Sequence, residues 1–428
     1  MFRTIIDAFK VKELRKKIFI TLLLLLVYRV GCWIPCIGFS TDAIFANSSG
    51  LGFFDLMNMV SGGALKNCSV LALGVSPYIT SSIVVQLLVY AIPALERWSK
   101  SGEDGRRKIN LLTRFVAFLL AIAQAIGIVV AYSGSIDNNL SGMPVWLVGC
   151  GVVLTMVAGA MFTVWLGERI TDLGIGNGTS LLIFVGILSS AGTNIFNVIR
   201  ACTQDITYIW YLVVFFVAVI LIFALIVFMD GGERRVPVQY AKQIKGRKMY
   251  GGQSQFIPIR VNATGVMPII FASALLTFPQ LIISIFWPNV TWYSNWLGTN
   301  SWLYIVLTAI LILFFAFLYS KITFNAEDVA KRIKQQGGII TGYRPGKPTS
   351  DYLSKVSNRI TLFGAFFLAI IALIPSLAFK ALGDFAGASI LINAFSATGL
   401  MIVVSVALEL EKQLSAQMIM RNHKGFLS

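Results

Sequence analysis

Thr207–Met229 reads TYIWYLVVFFVAVILIFALIVFM, an apolar run without one charged side chain. A helix needs about 20 such residues to cross the hydrocarbon layer of a bilayer, so this stretch predicts a membrane span by itself. Similar blocks recur on both sides of it. They predict spans near residues 18–36, 70–92, 111–132, 145–166, 177–198, 207–229, 262–287, 301–323, 358–379 and 387–408. Ten crossings would leave both chain ends on one side of the membrane.

The bulk composition agrees. Of 428 residues, 57% are hydrophobic and 13% charged, and the mean hydropathy is +0.78. A soluble domain carries roughly twice that charged fraction. The first block, Ile18–Ile34, follows a cluster of basic residues, as a secretory signal would. It contains Arg29 and lacks a small-x-small cleavage site, so it is read as a spanning helix.

The net charge of +16 would suggest nucleic acid in a soluble protein; here its placement matters more. Only Lys66, Arg200 and Lys380 fall in segments opposite the N-terminus, and Arg29 falls inside the first span. Every other Lys and Arg lies on the N-terminal side. Basic residues collect in cytoplasmic segments, so the N-terminus (residues 1–17) and the tail (residues 409–428) are expected in the cytoplasm.

Two loops on that side, 230–258 and 324–357, are longer than a connection requires. The second reads as structured. Asn325 is an N-cap candidate for a short amphipathic helix through Lys334, with Glu327 and Asp328 near its positive end. Gly337 with Gly338, and Pro345 with Gly346, predict turns.

Five spans plus five suggests two halves of opposite orientation, 18–198 and 199–408, with a functional path between them. One segment breaks the pattern. Gly50–Lys66, GLGFFDLMNMVSGGALK, is apolar on one face but short, Gly-rich and interrupted by Asp55, Asn58 and Lys66. It predicts a half-length helix, which survives at membrane depth only where protein or a water-filled cavity surrounds it. An external surface loop fits the same residues.

Catalytic chemistry is not expected. His423 is the single histidine, and Cys32, Cys36, Cys68, Cys150 and Cys202 show neither a CxxC pair nor metal spacing. The cysteines are read as structural. GIGNG at 174–178 and GYRPGK at 342–347 lack the spacing and context of a phosphate loop. No ATP site, metal or cofactor is expected, so energy must come from a partner or from the membrane potential.

The specific signal lies in six motifs. They are ALGVSPYITSSIVVQLL at 72–88, WLGERITDLGIGNGTSLLI at 165–183 and RRVPVQYAK at 234–242. PIRVNATGVMPIIFA at 258–272, GIITGYRPGKPTSDY at 338–352 and GLMIVV at 399–404 complete the set. In this order, on a ten-span frame, they resemble the SecY family, the protein-conducting channels of the bacterial general secretion system. The resemblance runs from Lys10 to Phe426.

It implies an all-α polytopic membrane protein of the inner (cytoplasmic) membrane. Ten helices would form two five-helix, pseudo-symmetric inverted halves around a central pore, with a half-length plug helix at about 51–66. The plug would comprise Phe53, Phe54, Leu56, Met57, Val60, Gly62, Gly63 and Ala64. An apolar ring at the waist would be formed by Val75, Ile79, Ile183, Ile270 and Ile402. A sixth position falls on Thr179, where the family more often has an aliphatic residue. Such a seal suits a channel for unfolded chains, because it must admit every side-chain type and can gate by dewetting.

The resemblance further places Thr80, Gln124 and Asn262 on a lateral gate that opens toward the lipid bilayer. Gln86 is a fourth polar residue in the spans and is assigned to the same gate. These four also fit simple interhelical hydrogen bonding. Implied partners are the small membrane subunits SecE and SecG, the motor ATPase SecA, the ribosome with its RNA, and signal sequences and nascent polypeptides. Docking would use Arg234, Arg235, Lys242, Lys245, Arg247, Lys248, Lys331, Arg332, Lys334, Arg344 and Lys347. The same basic residues serve topology and attraction to anionic lipid.

A secondary transporter for a small solute is the rival reading. Such proteins usually carry intramembrane carboxylates, whereas Glu168 and Glu409 sit at the cytoplasmic ends of spans.

Overall fold

A computed structural model describes residues 9–38, 58, 61–131, 144–202, 208–240, 243–245, 248–250, 254–262, 265, 267–286, 301–382 and 397–424. In chain order the helices are α1 (Lys12–Gly31), α2 (Ser76–Ala91), α3 (Pro93–Lys100), α4 (Glu103–Ala131), α5 (Val145–Leu173), α6 (Gly178–Cys202) and α7 (Tyr208–Gly231). Strands β1 (Glu233–Tyr240), β2 (Gln243–Lys245), β3 (Lys248–Tyr250) and β4 (Ser254–Arg260) follow. Then come α8 (Met267–Phe286), α9 (Trp302–Thr323), α10 (Ala326–Gln335), β5 (Gly338–Ile340), α11 (Lys347–Leu382) and α12 (Ala397–Lys424).

A helix overlies at least part of each of the ten expected spans; residues 387–396 of the tenth lie outside the described residues. Among the described residues, four are long and apolar enough to cross a membrane, or five if the bent pair α2–α3 counts as one. That pair turns through 102° at Ile92. Ile92 is extended (φ −110, ψ 113) because the ring of Pro93 disfavours helical backbone in the residue before it.

The chain forms two compact units. The first holds Met1–Leu212, Ala274–Ser301 and Asp384–Ser428. Its core joins the irregular stretch Leu65–Leu73 to α4 and α5, through Cys68, Ala72, Leu73, Ala121, Ala125, Ile128, Val152, Met156 and Ala160. Ala117, Ala121 and Ala125 recur every fourth residue on α4, a small-residue seam that lets helix backbones approach in lipid. The turn between α5 and α6 is equally close: a Cβ on Gly178 would overlap the carbonyl oxygen of Gly167. The glycines of the GIGNG motif therefore serve helix contact.

The second expected span is corrected at its N-terminal end. Residues Cys68–Val75 are turns, and the helix begins only at Ser76, with Pro77 in its first turn. A proline there loses no hydrogen bond, since the first helical N–H groups have no partner in the helix. The irregular stretch is packed in protein, with Cys68, Ser69, Ala72 and Leu73 fully buried, as backbone at membrane depth must be.

The second unit holds Val213–Ser273 and Trp302–Gly383. The chain is mainly helical, as expected, but this unit also carries strands. Loop 230–258 carries strands, and β4-β1-β5 form an antiparallel sheet, with β2-β3 a separate hairpin. Alternation in ERRVPVQY explains β1: Val236 and Val238 point inward, while Arg235, Pro237 and Gln239 point out. Pro237 is tolerated because β5 pairs only with Val238–Tyr240, so beside Pro237 that edge of β1 is open. The inner face packs on Ile259, Ile333, Ile340 and Leu353, which joins the sheet to α10 and α11.

Asn325 caps α10, its side chain accepting from the backbone N–H of Glu327 and of Asp328. Gly338, expected in a turn, instead opens β5. A Cβ there would lie 2.9–3.0 Å from Tyr240, Ile333 and Val238, so the strand packs tightly on α10. Helix α11 starts at Lys347 and takes in part of the expected second loop, and α12 continues through the expected tail to Lys424.

Candidate functional site

The expected waist residues of the first unit lie near the starts of their helices. Val75 is fully buried just before α2, and Ile79 occupies its first turn, half-buried. Thr179 and Ile183 are one turn apart on α6 and share a face. Ile402 lies on α12, which packs on α6; Ile183 and Ile402 are both buried. Ile270 belongs to the second unit and is half-buried on α8.

Thr179 has a local role that composition does not suggest. Asn177 caps α6 through its Oδ1, which accepts from the backbone N–H of Thr179 and Ser180 and from the Thr179 hydroxyl at 2.7 Å. The Thr179 methyl faces Gly167. The departure from an aliphatic residue is thus spent on the helix cap.

The expected gate residues bond within their own units. The Thr80 hydroxyl donates to the Ser76 carbonyl at 3.1 Å, and Gln86 Nε2 to Ser82 Oγ at 3.2 Å. Asn262 Nδ2 donates to Asp230 Oδ1 at a long 3.4 Å. Among the described residues, Gln124 Oε1 and Asn262 Oδ1 are buried without a hydrogen-bond partner. Leaving such an atom unmet costs about 1–3 kcal/mol. Both amides therefore favour any rearrangement that supplies a donor.

Arg234, Lys331, Arg332, Lys334, Arg344 and Lys347 face solvent, and Arg235 pairs with Glu233 two residues away at 2.7 Å. Lys242 and Arg247 lie outside the described residues. Lys245 and Lys248 stand in the β2-β3 hairpin and face each other in its register. Arg344 is held by its backbone: its carbonyl accepts from the Thr349 hydroxyl at 2.8 Å. Next to it Tyr343 stacks on Tyr352 with centroids 4.2 Å apart. The turn is firmly seated while the guanidinium is free to meet a partner.

Of the expected plug, Phe53, Phe54, Leu56, Met57 and Val60 lie outside the described residues. Gly62, Gly63 and Ala64 are described, and Ser61, Gly62, Ala64 and Leu65 are buried.

Sequence reading missed two ionic features. Arg114 Nε and Glu168 Oε1 pair at 2.6 Å between the N-terminal half of α4 and the C-terminal end of α5; both are partly exposed, so the pair contributes at most about 1 kcal/mol. Arg29, placed inside the first expected span, reaches the Gly62 carbonyl at 3.2 Å and the Ser189 hydroxyl of α6. Its place several residues from either end of an expected span was the available signal.

Comparison with known proteins agrees over nearly the whole chain. The family model for SecY matches residues 69–410. The protein translocase subunit SecY of Streptomyces scabiei is 40% identical over 435 residues, covering 98% of each chain. That of Thermus thermophilus is 38% identical over 438 residues, covering 100% of this chain and 98% of the other. Among solved structures, a protein-conducting channel superimposes with a TM-score of 0.68 at 18% identity, over 95% of this chain and 93% of that one. Sec61 in the canine ribosome-channel complex from the endoplasmic reticulum gives 0.65 at 16% identity, over 95% and 93%. At such identities the structures speak for the fold, whereas the family rests on the sequence matches: this chain belongs to the SecY family.

Proposed function

We propose that the chain is the central channel subunit of the general secretion translocon. It conducts unfolded polypeptides across the inner membrane and releases apolar segments sideways into lipid. It is not itself an enzyme; the motor ATPase SecA or a docked ribosome supplies the drive, and SecE and SecG complete the complex. The observation that carries this reading is the 40% identity to a protein translocase subunit across 98% of the chain.

The finer architecture belongs to the same proposal. Ten spans form two inverted halves, 18–198 and 199–408, the segment near 51–66 is the plug, and Val75, Ile79, Thr179, Ile183, Ile270 and Ile402 surround the waist. Burial of Ser61, Gly62 and Ala64 supports a plug seated inside the protein. The unmet amide oxygens of Gln124 and Asn262 support a gate with Thr80 and Gln86 that rearranges. The exposed Arg234, Arg235, Lys334, Arg344 and Lys347 of the second unit support docking of SecA and of ribosomal RNA phosphates, a role the proposal extends to Lys242, Lys245, Arg247 and Lys248.

The decisive experiment reconstitutes the complete complex in liposomes and supplies an unfolded precursor with SecA and ATP. Protease-protected precursor is the expected result. Uptake of a small solute with no precursor transport would favour a secondary transporter and overturn the proposal.

Orientation is tested separately. Cysteine probes at Lys248 and Arg344 should be labelled only from the cytoplasm, and a probe at Asn295 only from outside. Labelling of the Lys248 probe from outside would reverse the topology and remove the docking face with it.

A further inference from the structure

Arg29 lies two residues from the end of α1, within the membrane by the reading above. An ionisable side chain at that depth is costly unless it is matched, and it marks function more often than packing. Among the described residues, no carboxylate pairs with it. Its guanidinium donates to the Gly62 carbonyl at 3.2 Å and to the Ser189 hydroxyl on α6. One charge thus bridges three pieces of chain that are distant in sequence.

The neighbours of Arg29 aim at the same place. The Tyr28 hydroxyl donates to the Ser61 carbonyl at a long 3.5 Å, and the Cys32 thiol to that same carbonyl at 3.7 Å. Three contacts from one end of α1, by Tyr28, Arg29 and Cys32, therefore hold two consecutive carbonyls, those of Ser61 and Gly62. Asn58 and Ser61 are both helical, the Ser61 hydroxyl donates to the Asn58 carbonyl at 3.2 Å, and the backbone leaves the helix after Ser61. Cationic donors are favourable at such a C-terminal end.

The held backbone is a joint. Gly62 and Gly63 both have positive φ, +73 and +87, a conformation that glycine adopts without steric cost. A Cβ on Gly62 would overlap the Arg29 guanidinium and lie 3.0 Å from Gly186 of α6. The close seat of Arg29 thus requires this glycine, whereas a Cβ on Gly63 would meet nothing within 4 Å. The joint is gripped on one side and open on the other.

We propose that Arg29 is a positioning residue that pins the Ser61–Gly62 joint between α1 and α6, and that it thereby sets how strong a targeting segment must be to open the channel. The inference rests on reading the chain as a polypeptide channel whose segment near 51–66 moves. A grip made of a few hydrogen bonds is suited to this: it holds at rest and yields when an inserted apolar segment rearranges α1 or α6. Loss of a hydrogen bond to a charged group shifts such an equilibrium by about tenfold or more.

The test uses Arg29→Met, Arg29→Lys and Ser189→Ala in the complete reconstituted complex. The first readout is the ratio of uptake of a precursor with a weakened signal to one with an intact signal. Arg29→Met should raise this ratio about tenfold, Ser189→Ala should raise it less, and Arg29→Lys should stay near the parent. Equal losses of both precursors in Arg29→Met would reveal a packing role only and overturn the inference. The second readout is labelling of a Ser61→Cys probe above the background of the parent chain. The probe should be shielded at rest, exposed when an intact precursor engages, and exposed at rest once Arg29→Met is added. A probe exposed by precursor but still shielded at rest in Arg29→Met overturns the role of Arg29 while leaving the moving segment intact. A probe shielded in every state overturns the moving segment itself, and this inference with it.

Discussion

Asparagine at Ile79, Ile183 or Ile402 is expected to make the resting channel leak ions at least about tenfold more than the parent, measured as conductance of the reconstituted complex. Ile183 and Ile402 are each 7% exposed, on helices α6 and α12 that pack together. An apolar constriction excludes ions because water in it is unstable. Burying an amide without partners costs about 1–3 kcal/mol by mutational data. Water that meets the amide recovers that cost, and each 1.4 kcal/mol changes the hydrated population by about tenfold. Thr179→Val provides a control. The Thr179 hydroxyl already donates to Asn177 and so adds little wetting to the waist; removing it should weaken the α6 cap and leave conductance unchanged. Parent-like conductance in all three asparagine variants would remove these isoleucines from the seal.

The helices were legible because lipid imposes a strong constraint: every backbone polar group must be satisfied within the segment, so spans appear as long apolar blocks. Sites where protein replaces lipid were not legible in the same way. The turns of Cys68–Val75 lie within an apolar block, and only packing against α4 and α5 lets that backbone depart from a helix. The sheet of the second unit left a readable trace in the alternation around Val236 and Val238. Its partner β5 lies about a hundred residues away, however, and three residues of strand carry almost no periodic signal. Asn325 was readable because a cap is local, satisfied by Glu327 and Asp328 just beyond it. Arg29 marks the opposite case. Its presence in a span was plain, yet its partners stand 33 and 160 positions away, beyond the reach of any local pattern. The candidate site rests on the six motifs rather than on physics applied to single residues, since one isoleucine in a span carries no sign of whether it faces a neighbour or a pore.

Arg344→Glu is expected to abolish most SecA-driven precursor uptake while the channel still folds and inserts. The backbone around Arg344 is fixed by contacts that the substitution leaves alone: the Thr349 hydroxyl on the Arg344 carbonyl, the Tyr343–Tyr352 stack and the restricted φ of Pro345. The side chain is exposed, so its replacement creates no cavity and strands no buried charge. The fold therefore has little reason to respond. A generic electrostatic role has little reason to respond either, because Lys331, Arg332, Lys334 and Lys347 are exposed in the same unit. Only a specific contact made when the motor docks distinguishes this arginine. Truncating one partner of a buried, hydrogen-bonded charge pair at an interface costs about 2–5 kcal/mol, a loss of about thirtyfold or more in coupling. Lys347→Glu is the matched comparison. Lys347 is the first residue of α11, where a carboxylate is favoured by the helix dipole, so that variant changes the same charge by the same amount without harming the helix. Uptake into vesicles with SecA and ATP, measured for both variants, should fall steeply for Arg344→Glu and mildly for Lys347→Glu. Equal, mild defects would leave only a diffuse attraction between a basic face and its partner.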